Sequence, residues 1–94
     1  MDEIDSEFFK RADEHIGLAN RQIEAGLGRG KVSASLLYSA ARFNAWVAAC
    51  AASDEQDLSN DKPEILEYFV EEYKKMLTEN IDDYINNFNK YMKS

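Results

Sequence analysis

The sequence predicts an all-α protein: an up-down bundle of three helices, the third long enough to kink into a fourth, with a homodimer completing its core. Three observations carry this. One Pro and four Gly among 94 residues, with abundant Ala, Leu, Glu and Lys, favour helix. Three stretches carry apolar residues at steps of three and four, the repeat of a helix with one buried side. No window alternates in the manner of a strand. The chain is short enough to be read as one helical domain over 1–94, with helices at about 6–25, 33–53 and 62–92.

The first helix follows from Phe8, Ala12, Ile16, Ala19 and Ile23, flanked by Phe9 and Leu27. Asp5 or Ser6 is placed to cap it, and Asp2, Glu3 and Glu7 suit its positive end. Gly26-Leu27-Gly28-Arg29-Gly30 stops it, because glycine accepts the positive φ of a helix end. Gly30-Lys31 invites comparison with a phosphate loop. Ala25 stands where that loop needs Gly, Val32 where it needs Ser or Thr, and a helix precedes it rather than a strand. A plain helix–helix turn is the reading.

Ser33 is placed to cap the second helix, with Val32 and Leu37 as a hydrophobic staple. At 100° per residue Leu36, Ala40, Phe43, Val47 and Cys50 share one face, the expected core side. Leu37, Asn44, Ala51 and Trp46 border it. The opposite face carries Tyr38, Ala45, Ala49 and Ala52, with Arg42 as its single charge. A helix apolar around most of its circumference is expected to be covered on more than one side.

The segment Asp54–Asp61 reads as an acidic loop. Asp61 with Glu64 reads as a capping box, and Pro63 as a residue of the first turn. The third stripe then runs Leu66, Val70, Tyr73, Leu77, Ile81, Tyr84, Phe88, Tyr91. Asn80 with Asp82 and Asp83 could cap a fresh helix. The stripe keeps its phase, which favours one helix to Met92, about 46 Å long at 1.5 Å per residue. The first two helices reach only about 31 Å by the same rise. Ile81, Tyr84, Phe88 and Tyr91 are therefore expected to overhang the monomer, and a homodimer would cover them together with the back of the second helix.

Charge narrows the partners. The net charge is −7, and from Asp54 onward eleven acids face five bases. Nucleic acid and anionic membrane both want a basic surface and are not expected as partners; the acidity suits solubility first, or a basic protein partner. The acidic start MDEIDSEFF is not the positive start of a secretory signal, and Arg42 and Asn44 make the second helix a poor membrane span, so a cytoplasmic protein is expected. Cys50 is alone, which excludes an intrachain disulfide, and on the core face it reads as a small hydrophobe. His15 is alone at the edge of the first stripe and reads as a packing or surface residue. No cofactor, metal set or catalytic arrangement is legible, and a Glu-x-x-His pair of the di-iron kind is absent.

Tyr38, Arg42 and Trp46 line up along one side of the second helix at i, i+4 and i+8. Tyr, Trp and Arg are enriched at interface hot spots, and Ala45 and Ala49 beside them permit close helix approach. Two readings stand: an interface, or a monomer core in which Arg42 pairs with a neighbouring acid and can stack on the rings. A third is a small-ligand pocket or active site around Tyr38, Arg42 and Asn44.

Those residues also carry a resemblance. Val32-Ser33-Ala34-Ser35-Leu36-Leu37-Tyr38 and Ala40-Ala41-Arg42-Phe43-Asn44-Ala45, with Tyr68-Phe69-Val70, Tyr73-Lys74-Lys75-Met76-Leu77 and Glu79-Asn80-Ile81-Asp82-Asp83-Tyr84, resemble a small bacterial family of helical proteins known as a domain of unknown function. The likeness runs from about Phe8 to Tyr91. It implies a compact cytoplasmic bacterial protein and brings no activity, substrate or site residue with it. The expected function is a non-enzymatic, self-associating interaction module.

Overall fold

Three main helices and a short fourth make up the computed structural model, which describes residues 4–93: α1 (Phe8–Glu24), α2 (Arg29–Ala51), α3 (Glu55–Asn86) and α4 (Phe88–Met92). No strand occurs among the described residues. The chain divides into two units, Met1–Val47 and Ala48–Ser94.

In the first unit, α1 is started by Asp5, though not as its formal cap. The Asp5 carboxylate accepts the Glu7 backbone N–H at 2.8 Å and pairs with the Arg11 guanidinium at 3.0 and 3.2 Å. Glu7 occupies the cap position without a side-chain bond. The Arg11 hydrogen bonds, then the Glu7 N–H, hold the Asp5 carboxyl below its usual range. Asp2 and Glu3, expected to favour the same helix end, lie outside the described residues.

The end of α1 is a Schellman turn. The Gly26 N–H reaches the Ile23 carbonyl at 3.0 Å, the Leu27 N–H reaches Gln22 at 3.2 Å, and Gly26 takes φ +106°. The positive φ expected of this glycine run is thus confined to Gly26. The Gly28 carbonyl accepts the Val32 N–H at 3.1 Å, so α2 begins four residues before Ser33. Ser33 is therefore inside the helix and not its cap. Gly30 is tolerated there because the first turn has few hydrogen bonds to lose.

In the second unit the stretch expected as a loop is helix. The Asp54 carboxylate accepts the Asp57 N–H at 2.8 Å, and the Asp57 carboxylate accepts the Ser53 N–H at 2.9 Å and the Ser53 hydroxyl at 3.2 Å. This arrangement is a variant of the capping box made with aspartates, in which Asp57 reaches back to the residue before the cap, and Glu55 and Asp57 add charge at the favourable end. Asp61 is accordingly not a cap, and Pro63 is interior to α3 rather than in its first turn. Lacking an N–H, Pro63 leaves the Ser59 carbonyl without its helical donor.

α3 passes through Asn80 unbroken. The Asn80 side-chain amide donates to the Met76 carbonyl at 2.8 Å, satisfying itself one turn back instead of capping a new helix. The break falls at Asn87, short of the expected end at Met92. Asn87 donates its backbone N–H and its side-chain amide to the Asp83 carbonyl, both at 3.0 Å. The same amide reaches the Asp83 carboxylate at 3.0 Å, and the Tyr91 hydroxyl donates to that carboxylate at 3.1 Å. This fastens α4 to the end of α3. The hydrogen bond to Asp83, then the charge of that carboxylate, hold the Tyr91 phenol above its usual value.

Neither unit closes a core around its helices. Val32, 4 % exposed, is the one buried residue among those described. Phe8, Ala12, Ala19 and Ile23 of α1 are half-buried. In α3 the half-buried line is Leu58, Ile65, Phe69 and Glu72, beside rather than on the stripe read from the sequence.

Candidate interaction surface

On α2 the helical repeat brings Tyr38, Arg42 and Trp46 to one side, and all three are exposed, Tyr38 at 69 % and Trp46 at 60 %. Among the described residues Arg42 has neither an ion pair nor a hydrogen bond, and it lies over no aromatic ring. The pairing of Arg42 with a neighbouring acid in a packed core is thus not what the structure shows. Trp46 instead meets Phe43, with ring centroids 5.5 Å apart and planes at 39°. That contact was hidden from the sequence because Phe43 was placed on the core side and Trp46 at its border. A three-residue step puts the two rings within reach across that border. Asn44 is half-buried, and Ala45 and Ala49 are exposed.

The expected core side of α2 is as open as its back. Leu36, Phe43 and Val47 are exposed, and so is the free thiol of Cys50, which is therefore not the buried small hydrophobe expected. α1 and α2 share a shallow groove lined by His15, Leu18, Ala19 and Gln22 on one helix and Ser35, Leu36 and Ser39 on the other, and Phe43, Val47 and Cys50 lie outside it.

Ile81, Tyr84, Phe88 and Tyr91 are exposed as well, but so are Leu66, Val70, Tyr73 and Leu77 earlier in the stripe. The open surface of the second unit is thus the length of α3 rather than its end alone. The Tyr84 and Tyr91 rings meet at a tilt of 59° with centroids 5.1 Å apart, and Lys90 and Lys93 lie 5.7 and 5.9 Å from the Tyr91 and Phe88 rings. The Asp83–Asn87–Tyr91 cluster escaped the sequence reading, although its i, i+4, i+8 spacing was there to be found.

The chemistry of a pocket is not assembled. A second concavity lies on α3 among Glu71, Lys74, Lys75, Thr78 and Glu79, an outer helix face. Neither concavity is lined by Tyr38, Arg42 or Asn44. No group of three or more His, Cys, Asp or Glu is placed to hold a metal among the described residues. Among the described residues no helix is long and apolar enough to cross a membrane.

An all-helical arrangement with open apolar rows is the class this geometry defines among the described residues. The chain belongs to the family described as Protein of unknown function, DUF3144, which it matches over residues 8–85. It is similar to the NMR structure of the protein NB7890A from Shewanella sp, at 36 % identity, covering 96 % of this chain and 95 % of that one with a TM-score of 0.77. No curated protein matches the chain.

Proposed function

We propose that this protein is a non-enzymatic helical interaction module that works by self-association. The observation that carries the reading is the exposed row Tyr38–Arg42–Trp46, whose one charge is unpaired among the described residues. Aromatic side chains and arginine concentrate binding energy when desolvated at an interface, and truncating a hot-spot residue costs about 2 kcal/mol or more. A ligand or active site built on Tyr38, Arg42 and Asn44 would need them to line a concave site, and neither of these two concavities includes them. The acidic segment beyond Asp54 suits a protein partner and opposes nucleic acid and anionic lipid.

Light scattering at micromolar concentration tests the reading. A dimer mass is expected, and a monomer mass would overturn it. Trp46→Ala and Tyr38→Ala should each weaken association about 30-fold, the equivalent of 2 kcal/mol. Unchanged association in both variants would remove this row from the interface.

A further inference from the structure

The row along α3 has an internal symmetry. Leu66, Val70, Tyr73, Leu77, Ile81 and Tyr84 are all between 44 % and 59 % exposed. The spacing reads the same in both directions about Leu77. Tyr73 and Ile81 lie four residues to either side, Val70 and Tyr84 seven, and Leu66 and Phe88 eleven. A surface that is its own mirror in spacing is what a two-fold contact between identical chains demands, because each residue must meet its counterpart's partner.

We infer that α3 pairs with α3 of a second copy, antiparallel, with the two-fold axis at Leu77. This rests on the self-association proposed above and adds α3 to its surface, in addition to the Tyr38–Arg42–Trp46 row of α2. Antiparallel pairing sets Val70 against the large ring of Tyr84 from the other copy, and Tyr73 against Ile81. Large side chains thus meet smaller ones, the arrangement that lets facing layers interdigitate. Parallel pairing in register would instead stack Tyr73 on Tyr73 and Tyr84 on Tyr84. Antiparallel alignment also opposes the two helix dipoles, and the same register places Lys90 and Lys93 level with Glu64 and Asp61 of the other copy.

The row advances eighteen residues in five turns from Leu66 to Tyr84, the 3.6 residues per turn of a straight helix, so the two helices pair with little supercoil. The area is adequate. Six half-exposed large side chains on each copy leave on the order of 100 Å² each. The pair therefore buries roughly 1,200 Å², the lower edge of a specific interface. The half-buried line of α3, Leu58–Ile65–Phe69–Glu72, is a different side of the helix and leaves this row free.

Disulfide trapping in the full-length chain tests this, with Cys50→Ser as background. Leu77→Cys sits on the axis and should oxidise to a covalent dimer. Val70→Cys alone should not, because fourteen residues separate its two copies along the pair, about 21 Å, against the roughly 4.4–6.8 Å between Cα atoms that a disulfide spans. Mixing Val70→Cys with Tyr84→Cys should restore the cross-link between unlike chains. Circular dichroism of each variant establishes that it is helical before trapping. Efficient trapping of Val70→Cys by itself would mean parallel pairing and overturn the inference. Failure of all three in a sample that light scattering shows to be dimeric would move the contact off α3 and leave self-association standing. A monomer mass would overturn both.

Discussion

Removing the Asp54 carboxylate asks where α3 begins. Asp54→Ala deletes the acceptor of the 2.8 Å bond from the Asp57 N–H and a negative charge at the positive end of a 32-residue helix. Loss of an N-cap costs about 1 kcal/mol, with a range of roughly 0.5–2. The bonds from Ser53 to Asp57 remain and keep the loss from exceeding that range. For a domain of this size about 1 kcal/mol lowers Tm by roughly 4–8 °C. Asp61→Ala is the matched control. Asp61 is exposed at the seventh position of α3 and makes no hydrogen bond among the described residues. Replacing it with Ala raises helix propensity by about 0.5 kcal/mol, so its Tm should stay level or rise slightly. Thermal unfolding followed by circular dichroism at one fixed protein concentration reads both, since association makes Tm concentration-dependent. If Asp61→Ala proves the more damaging, the helix starts near Lys62 and the aspartate capping box does not hold it.

Four further outcomes follow from the same geometry. Gly26→Ala should destabilise by about 1–2 kcal/mol, read as a lowered denaturant midpoint, because φ +106° is costly for any side chain, whereas Gly30→Ala, whose added Cβ meets nothing within 4 Å, should stabilise by about 0.4–1 kcal/mol. Pro63→Ala returns a donor to the Ser59 carbonyl and should stabilise α3 by up to about 3 kcal/mol, read as a raised Tm. Tyr91→Phe should free α4 from Asp83, seen as lost order in the amide resonances of Phe88–Met92. Because the Tyr91 phenol is held above its usual value, its contribution is complete below the unfolded pKa, about 10, and is lost as pH rises through the higher folded value. Asp5 runs the other way: its pair with Arg11 supports α1 above the usual carboxylate range and fades as pH falls through the lowered folded value.

The helical class and the number of main helices were legible because each helix keeps an apolar side at regular steps. The boundaries were legible only where backbone chemistry is explicit, as at Gly26. The start of α3 was misread because Asp54–Asp61 has a single apolar residue, Leu58, and periodicity reports burial rather than helix. The aspartate box that fixes this end is a matter of capping, and Ser53-Asp54 followed by Asp57 contains it in plain view. Asn80 and Asn87 look alike in sequence. One bonds back to Met76 and stays helical, while the other is drawn by Asp83 and Tyr91 into a break, a distinction made by residues four and eight positions away. The row Tyr38–Arg42–Trp46 was visible from spacing alone. What spacing could not decide is the state of Leu36, Phe43 and Val47: a stripe says that a helix has a side to bury and says nothing of what comes to bury it.

Val32 turns this into a statement about time. With one buried side chain among the described residues, the amides of α1 and of the later turns of α2 are guarded by little beyond their own helical hydrogen bonds. Hydrogen exchange in a dilute sample should therefore run by fraying, fastest at Phe8 and at Ala51 and slower toward the middle of each helix. Once copies meet, exchange at the middle of α3 has to wait for their separation. Protection there should climb with protein concentration while the amide of Leu27, held in the Schellman turn, stays where it was. The ratio of the two reports, amide by amide, how much of the chain's order is its own.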